Sequence, residues 1–274
     1  YLYIYALLEE NHVWASIQQR DAVIFHDNDF EVFIDPSNDT YDYTELEINA
    51  LNTVWDLKLN RPYRMKGWAH TAYNLEGIKT AVHVYGSLNN PEDIDTAWSV
   101  EIAIPMNLLM ATFSPRNRYI NEKSIWRINF SRVQWQHELI NGQYQRKKID
   151  GKLLPEYNWV WSPQHAINMH IPEKWGYLQF DTTTISASSQ QSTTFEANVV
   201  QVASYALMRR VNYGTLRTFL KLKAGQQKTY STLIDDTVYN CLFLKTFKGF
   251  EWQLINLKTK QKYTIDELGK FQYH

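Results

Sequence analysis

Two short stretches of this chain alternate apolar and polar residues with a period of two, which admits little besides half-buried β-strand. In residues 27–36, DNDFEVFIDP, Phe30, Val32 and Ile34 alternate with Glu31, Phe33 and Asp35. In residues 43–57, YTELEINALNTVWDL, Leu46 and Ile48 alternate with Glu45, Glu47 and Asn49. Successive side chains of a strand point to opposite faces, so each run has one apolar face. Placing Phe30, Val32, Ile34, Leu46 and Ile48 on a common core leaves Glu31, Glu47 and Asn49 on the other side of the sheet, with Phe33 among them. That polar face is where function is expected.

The pattern recurs along the chain. Residues 1–8 and 13–19 read as two strands of a hairpin, and residues 79–85, 98–104, 124–135, 159–161 and 175–180 as further strands. Trp98, Val100, Ile102 and Ile104 face inward, as do Ile128 and Phe130, with Asn129 and Ser131 outward; Pro105 opens one short helical turn. Strands at this frequency without interposed helices predict a mainly β fold, an antiparallel β-sandwich, over residues 1–180. The composition then changes. Residues 181–194, DTTTISASSQQSTT, form a Ser/Thr/Gln-rich linker with no core-forming pattern. Beyond it Phe195, Val199, Val202, Ala206 and Met208 recur at helical spacing and predict an amphipathic helix over 195–211. Strand-like runs at 238–246, 250–256 and 262–265 complete a small C-terminal α+β unit, residues 195–274.

A net charge of -1 gives no generic electrostatic grip on nucleic acid or an anionic membrane, and no transmembrane run is visible. Aromatic residues make up 15% of the chain, with 10 Trp and 18 Tyr, many beside Asn, Gln and Asp. Aromatic planes flanked by amides and carboxylates suit sugar rings, whose C–H faces stack and whose hydroxyls need hydrogen bonds. A β-sandwich is aromatic-rich in any case, so composition alone does not decide. The single Cys241 precludes an intramolecular disulfide and a thiolate zinc cluster. The chain opens at Tyr1, already strand-like, which reads as a mature or trimmed chain, secreted or periplasmic.

Several ordered motifs carry a family resemblance: LYIYALLEENHVWASI, DNDFEVFIDP, YTELEINALNTVWDLKLNRPYR, WSVEIAIP, WRINFSRVQW, PEYNWVWSP and MHIPEKWGYLQF. Together, over residues 1–180, they resemble the family 9 carbohydrate-binding modules, in particular family-9-like proteins of Bacteroidetes. The resemblance implies a β-sandwich of immunoglobulin-like or jelly-roll type and non-catalytic binding of an oligosaccharide or polysaccharide, at a chain end, in support of glycan degradation. It places Phe25 where the family has a first sandwiching Trp, Glu31 on a sugar-contacting Glu, and Ser131 near a contacting amide. Met169, just before His170, falls where the second Trp stands, and Glu47 where the family has Arg. Asn49 and Asn158 would add polar contacts, and Trp161 would supply the second stacking plane.

Other readings stay open. Glu31 and Glu47 could be the acid and base of a glycoside hydrolase, which requires a separation of roughly 5–10 Å. The sandwich could serve as a structural or interaction module. His26, Met169 and His170 offer imidazole and thioether ligands for haem, as in the related DOMON sandwiches. Asp27, Asp29, Asp93 and Asp95 offer oxygen donors at alternate positions for the structural calcium that the family implies, but neither DND nor PEDID has EF-hand spacing, so solvated turns are expected. No phosphate loop, nucleophile elbow or HExxH is present, and no catalytic residue is assigned.

Overall fold

The structure, a computed structural model, describes residues 1–111, 124–180, 196–234 and 236–274. Strands β1 (Leu2–Glu9), β2 (Asp29–Asp35), β3 (Tyr43–Asn49), β4 (Val54–Leu59), β5 (Ala69–His70), β6 (Lys79–Tyr85) and β7 (Ala97–Ile104) precede a short helix, α1 (Met106–Ala111), and β8 (Ile125–Gln134). Two small hairpins follow, β9 (His137–Ile140) with β10 (Gln143–Arg146) and β11 (Lys148–Ile149) with β12 (Lys152–Leu153). Then come β13 (Tyr157–Val160) and β14 (Gly176–Gln179).

Among the described residues, β13-β8-β2-β3-β4-β5 form one sheet, with β14 sharing the β13 edge of β8, and β1-β7-β6 form a second. All neighbours are antiparallel. The two sheets pack face to face. Val32, Ile34, Leu46 and Ile48 meet Trp98, Val100, Ile102 and Ile104 in one buried cluster, with Phe30 and Trp126 beside them. Burying side chains of this size contributes roughly 1.5–3 kcal/mol each, and the alternation of β2, β3 and β7 places all of them on the inner side. The antiparallel β-sandwich expected from the alternation is therefore present.

Residues 13–19 are not a strand. Their backbone groups are taken by side chains from three separate loops: Val13 N–H donates to Asp95 Oδ2, Ala15 N–H to Asn89 Oδ1, and Ser16 and Ile17 N–H to Asp27 Oδ2. With the ladder groups thus satisfied, the segment has no call on a partner strand, and β1 pairs with β7 instead.

The C-terminal unit is a five-stranded meander, β15 (Gln227–Ile234), β16 (Thr237–Lys245), β17 (Phe250–Asn256), β18 (Lys262–Asp266) and β19 (Phe271–Tyr273), with helix α2 (Glu196–Tyr213) packed against it. The helix stands where its period predicted, but its buried face differs. Val200, Gln201, Ser204, Tyr205, Met208 and Val211 are buried, whereas Val202 is exposed. The expected linker and Phe195 lie outside the described residues.

This unit is docked on the sandwich. Glu173, buried in the turn before β14, accepts from Arg64 at 2.5 Å and from Arg209 of α2 at 2.7 Å. Arg127 of β8 donates to the Glu173 carbonyl and to Gln201 of α2, and Gln201 donates to the Asn38 carbonyl. Tyr205 donates to the Gly269 carbonyl and accepts from Thr40, and Met65 of the sandwich joins the core of the C-terminal unit.

Candidate functional site

The outer face of the larger sheet is set by register. Glu31 lies opposite Glu47 of β3 on one side and Ser131 of β8 on the other. Asp29 pairs with Asn49 and Val133, Phe33 pairs with Glu45 and Asn129, and Trp55 of β4 lies opposite Glu47. Directly paired residues share a face. The predicted assignment of faces therefore holds, and it collects Asp29, Glu31, Glu45 and Glu47 into one acidic row.

What differs from expectation is burial. Asp29 is 0% exposed, Glu31 5%, Glu47 2% and Ser131 0%. Instead of an open floor, the face is an interior layer beneath loops. At one end a 3-10 turn, Ile24–His26, lays Phe25 over it: the Phe25 N–H donates to Glu47 Oε2 at 2.9 Å, and Trp135 Nε1 donates to the Phe25 carbonyl at 2.8 Å. The Phe25 and Trp55 rings lie nearly parallel with centroids 6.4 Å apart. At the other end Phe33, Tyr43, Leu57, Leu59 and Trp175 pack together with Met169. His170 closes this end, hydrogen-bonded to Tyr43 at 3.0 Å and edge-on to Phe33 and Tyr63.

The electrostatics are one-sided. Burial lifts the Asp29, Glu45 and Glu47 carboxyls well above the usual carboxylate range, and repulsion from neighbouring carboxylates, Glu31 acting on all three, adds to it. Burial also lifts Glu31, to about 7, against an opposing effect of Ser131. Among the described residues no Lys or Arg forms an ion pair with any of these carboxylates. The Glu45 and Glu47 charges reach Tyr63, whose phenol is raised first by burial and then by them. Two other buried acids show the contrast. Glu10 is met by Asn28, Trp98, Arg132 and Gln134, and Glu173 by its arginine pair. In the row, Asp29 Oδ2, Glu31 Oε2 and Ser131 Oγ make no hydrogen bond of good geometry, although Ser131 stands close enough to Glu31 to oppose its shift, and the buried indole N–H of Trp55 makes none either. Paired buried acids are structural necessities; unpaired ones need another explanation.

The structure brings Phe25, Glu31, Glu47 and Ser131 together. Met169 and His170 belong to the apolar end of the same face. Asn49 is in the row, but its amide is consumed internally. It donates to the Ile17 carbonyl and Asp27, and accepts from Leu51 and Thr53 N–H, which leaves no capacity for a ligand. Asn158 is exposed on β13, opposite Val133. Trp161 stands apart from the acids: its ring packs edge-on against Phe130, which faces the sandwich core. Glu45, Trp55 and Tyr63 are the site residues that the sequence reading passed over. For Glu45 the signal was the alternation itself, since it shares the parity of Glu47. Tyr63, in the turn after β4, had none.

The loop aspartates are not solvated turns. Asp27 is buried and accepts from the Ser16 and Ile17 N–H, the Ser16 hydroxyl and Asn49. Asp95, also buried, accepts from Val13 and Ser87 N–H. Their donors are already protein groups, which explains the carboxylates without an ion. For the haem reading, Met169 sulfur sits in the apolar cluster beside Gln164, while His26 lies with Phe25 at the opposite end of the row.

No protein-family model matches the chain, and no curated protein matches it. Among solved structures, it is similar to a candidate carbohydrate-binding protein from Bacteroides uniformis, at 15% sequence identity and a TM-score of 0.41, over 65% of this chain and 71% of that one. At that level the similarity says nothing of what this chain binds.

Proposed function

We propose that the chain is a non-catalytic carbohydrate-binding module whose ligand seats at the acidic row, between Phe25, Trp55 and Tyr63. The observation that carries this reading is the presence of partly exposed rings at the rim of a sheet face whose buried carboxylates include unsatisfied acceptors. Phe25 is 38% exposed and Tyr63 48%, while carboxylate oxygens of Asp29 and Glu31 have no partner. A sugar offers both halves of the complement, an apolar C–H face for a ring and hydroxyl donors for carboxylates. Phe25 is the stacking ring in this reading. Glu31 and Glu47 accept hydroxyls, and the Trp55 indole N–H donates to a ring or hydroxyl oxygen.

Binding is favoured over hydrolysis by how the two glutamates stand. A glycosidase pair flanks the scissile bond from two sides, across roughly 5–10 Å. Glu31 and Glu47 are neighbours on adjacent strands of one face, with carboxylate oxygens within 4.8 Å of each other. Standing side by side on one surface, they meet a ligand from the same side rather than from two.

The test is a glycan array that carries free and alditol-reduced chain ends side by side, with the same wells assayed for released sugar. Selective binding without release is expected. Phe25→Ala should then weaken binding to the best glycan by about 1–3 kcal/mol, roughly 5- to 150-fold, the scale of a lost aromatic contact. Unchanged affinity would remove Phe25 from the site, and sugar release lost on Glu31→Gln would restore the hydrolase.

A further inference from the structure

The carboxylate row has a geometry of its own. One oxygen each from Asp29, Glu31 and Glu47 can be chosen so that all lie within 4.8 Å of one another. Oxygens around a calcium ion lie 2.3–2.6 Å from it, so opposed ligands stand roughly 5 Å apart, and the three oxygens fit inside such a sphere.

An acidic cluster alone would not make a site, but Ser131 adds a separate observation. It is 0% exposed, comes from a different strand, β8, and lies directly across from Glu31 on the same face. Its hydroxyl has no hydrogen-bond partner of good geometry, although it lies near enough to favour the charged form of Glu31. A buried hydroxyl beside a buried carboxylate would ordinarily turn to donate to it. Here Ser131 Oγ, Asp29 Oδ2 and Glu31 Oε2 are all left open at once. Two backbone groups reach the cluster, Val133 N–H to Asp29 Oδ1 at 3.2 Å and Phe25 N–H to Glu47 Oε2 at 2.9 Å, and each occupies a different oxygen from the open ones. Elsewhere in the molecule buried Glu10, Asp56 and Glu173 are each met by an arginine, and buried Asp27 and Asp95 by several hydrogen-bond donors.

We propose that Asp29, Glu31 and Glu47, with the Ser131 hydroxyl beside them, form a binding site for a calcium-sized divalent cation in the outer face of the larger sheet. All the donors are oxygens, which selects a hard cation, and a donor set drawn from one side, a single sheet face, suits the flexible coordination of calcium better than the near-ideal octahedron magnesium demands. The carboxylates and the hydroxyl supply fewer ligands than the 6–8 calcium takes, so water or ligand hydroxyls would complete the sphere on the side of Phe25 and Trp55. The inference goes beyond the carbohydrate reading and stands without it, since the cation would be held whether or not the rings take a sugar.

The experiment uses the full chain, stripped with a chelator and titrated with CaCl2, and separately with MgCl2, by calorimetry at constant ionic strength with no glycan present. The expected result is one calcium per chain, magnesium at least about tenfold weaker, and a rise in Tm on adding calcium. Glu31→Gln should lower calcium affinity at least about tenfold, and Glu92→Gln, an exposed loop acid, should leave it unchanged. If Glu31→Gln does not fold, Ser131→Ala removes a neutral ligand without altering charge and should weaken calcium several-fold. No heat and no Tm shift with calcium up to about 5 mM, well above the weakest extracellular sites, would overturn the proposal. Calcium binding unchanged in Glu31→Gln would overturn it too, and so would tighter binding of magnesium than of calcium.

Discussion

Glu173 is the place where one substitution tests how firmly the two units are joined. Its side chain is fully buried and carries Arg64 of the sandwich on one oxygen and Arg209 of α2 on the other. Glu173→Gln keeps the shape but removes the charge. Removing one partner of a buried ion pair costs about 3–5 kcal/mol, because the remaining charge is stranded. Here the stranded groups are arginines whose side chains are 21% and 36% exposed, so both recover part of their hydration. The Gln amide oxygen can also still accept from one of them. The expected loss is therefore about 2–3 kcal/mol. Urea unfolding of the full chain, followed by far-UV circular dichroism and by Trp fluorescence, measures it. A cycle with Arg209→Met should return a coupling of about 1–2 kcal/mol between the two positions. A change below about 0.5 kcal/mol in Glu173→Gln, or no coupling in the cycle, would mean that the junction is held by apolar packing around Met65 and Tyr205 and that the ion pairs are incidental.

Two further outcomes are expected. Burial, with Arg64 adding to it, lowers the His170 pKa to about 4, from an unfolded value near 6.5. The neutral imidazole therefore stabilises the fold fully above pH 6.5, and that contribution, on the order of 3 kcal/mol, is lost as pH falls from 6.5 through 4. Urea midpoints taken across this window should fall more steeply for the native chain than for His170→Gln; parallel curves would show that His170 is not the group responsible. Asp27→Ala should cost about 2–3 kcal/mol, since it strands the donors of half-buried Ile17 and buried Asn49, while exposed Ser16 can turn to water. Calcium should not alter that loss, and a calcium-dependent recovery of its Tm would restore the loop as an ion site.

Much of the sandwich was legible because its information is local. The parity of Phe30, Val32 and Ile34 against Glu31 and Phe33 is written in consecutive residues, and so is that of Trp98, Val100, Ile102 and Ile104. What escaped depends on distant partners. Residues 13–19 alternate well enough to be a strand, and only the arrival of Asp27, Asn89 and Asp95 takes their backbone groups away from a ladder. The buried face of α2 includes Gln201, drawn inside by its bonds to Arg127 and Asn38, and Ser204, whose hydroxyl donates to the Val200 carbonyl, so an apolar period alone set it one position off. β15, QKTYSTLI, is too polar to announce itself and is a strand because β16 pairs along its whole length. At the site, Glu31 and Glu47 could be placed together from parity. The covering of their face by Phe25, Trp135, Trp175 and His170 could not, since those residues come from loops whose path no period encodes. Trp161 misled for a related reason, because it lies just past the end of β13, where its ring turns toward Phe130.

The acidic row also bears on how this sheet finds a single alignment. β2 has no solvated side: its seven residues are all buried, with apolar side chains on one surface and acids plus Phe33 on the other. If β2 slid by one residue against β3 and β8, Asp29, Glu31 and Asp35 would enter the packed apolar interior while Phe30, Val32 and Ile34 moved among Glu45, Glu47 and Ser131. Each carboxyl so displaced would cost several kcal/mol whether it stayed ionised or took up a proton. An ordinary strand with a wet outer side resists slippage mainly through its apolar half. This one is proofread from both sides, so the carboxylates best placed to hold a ligand also make misalignment of the central strand the most expensive error available to the fold.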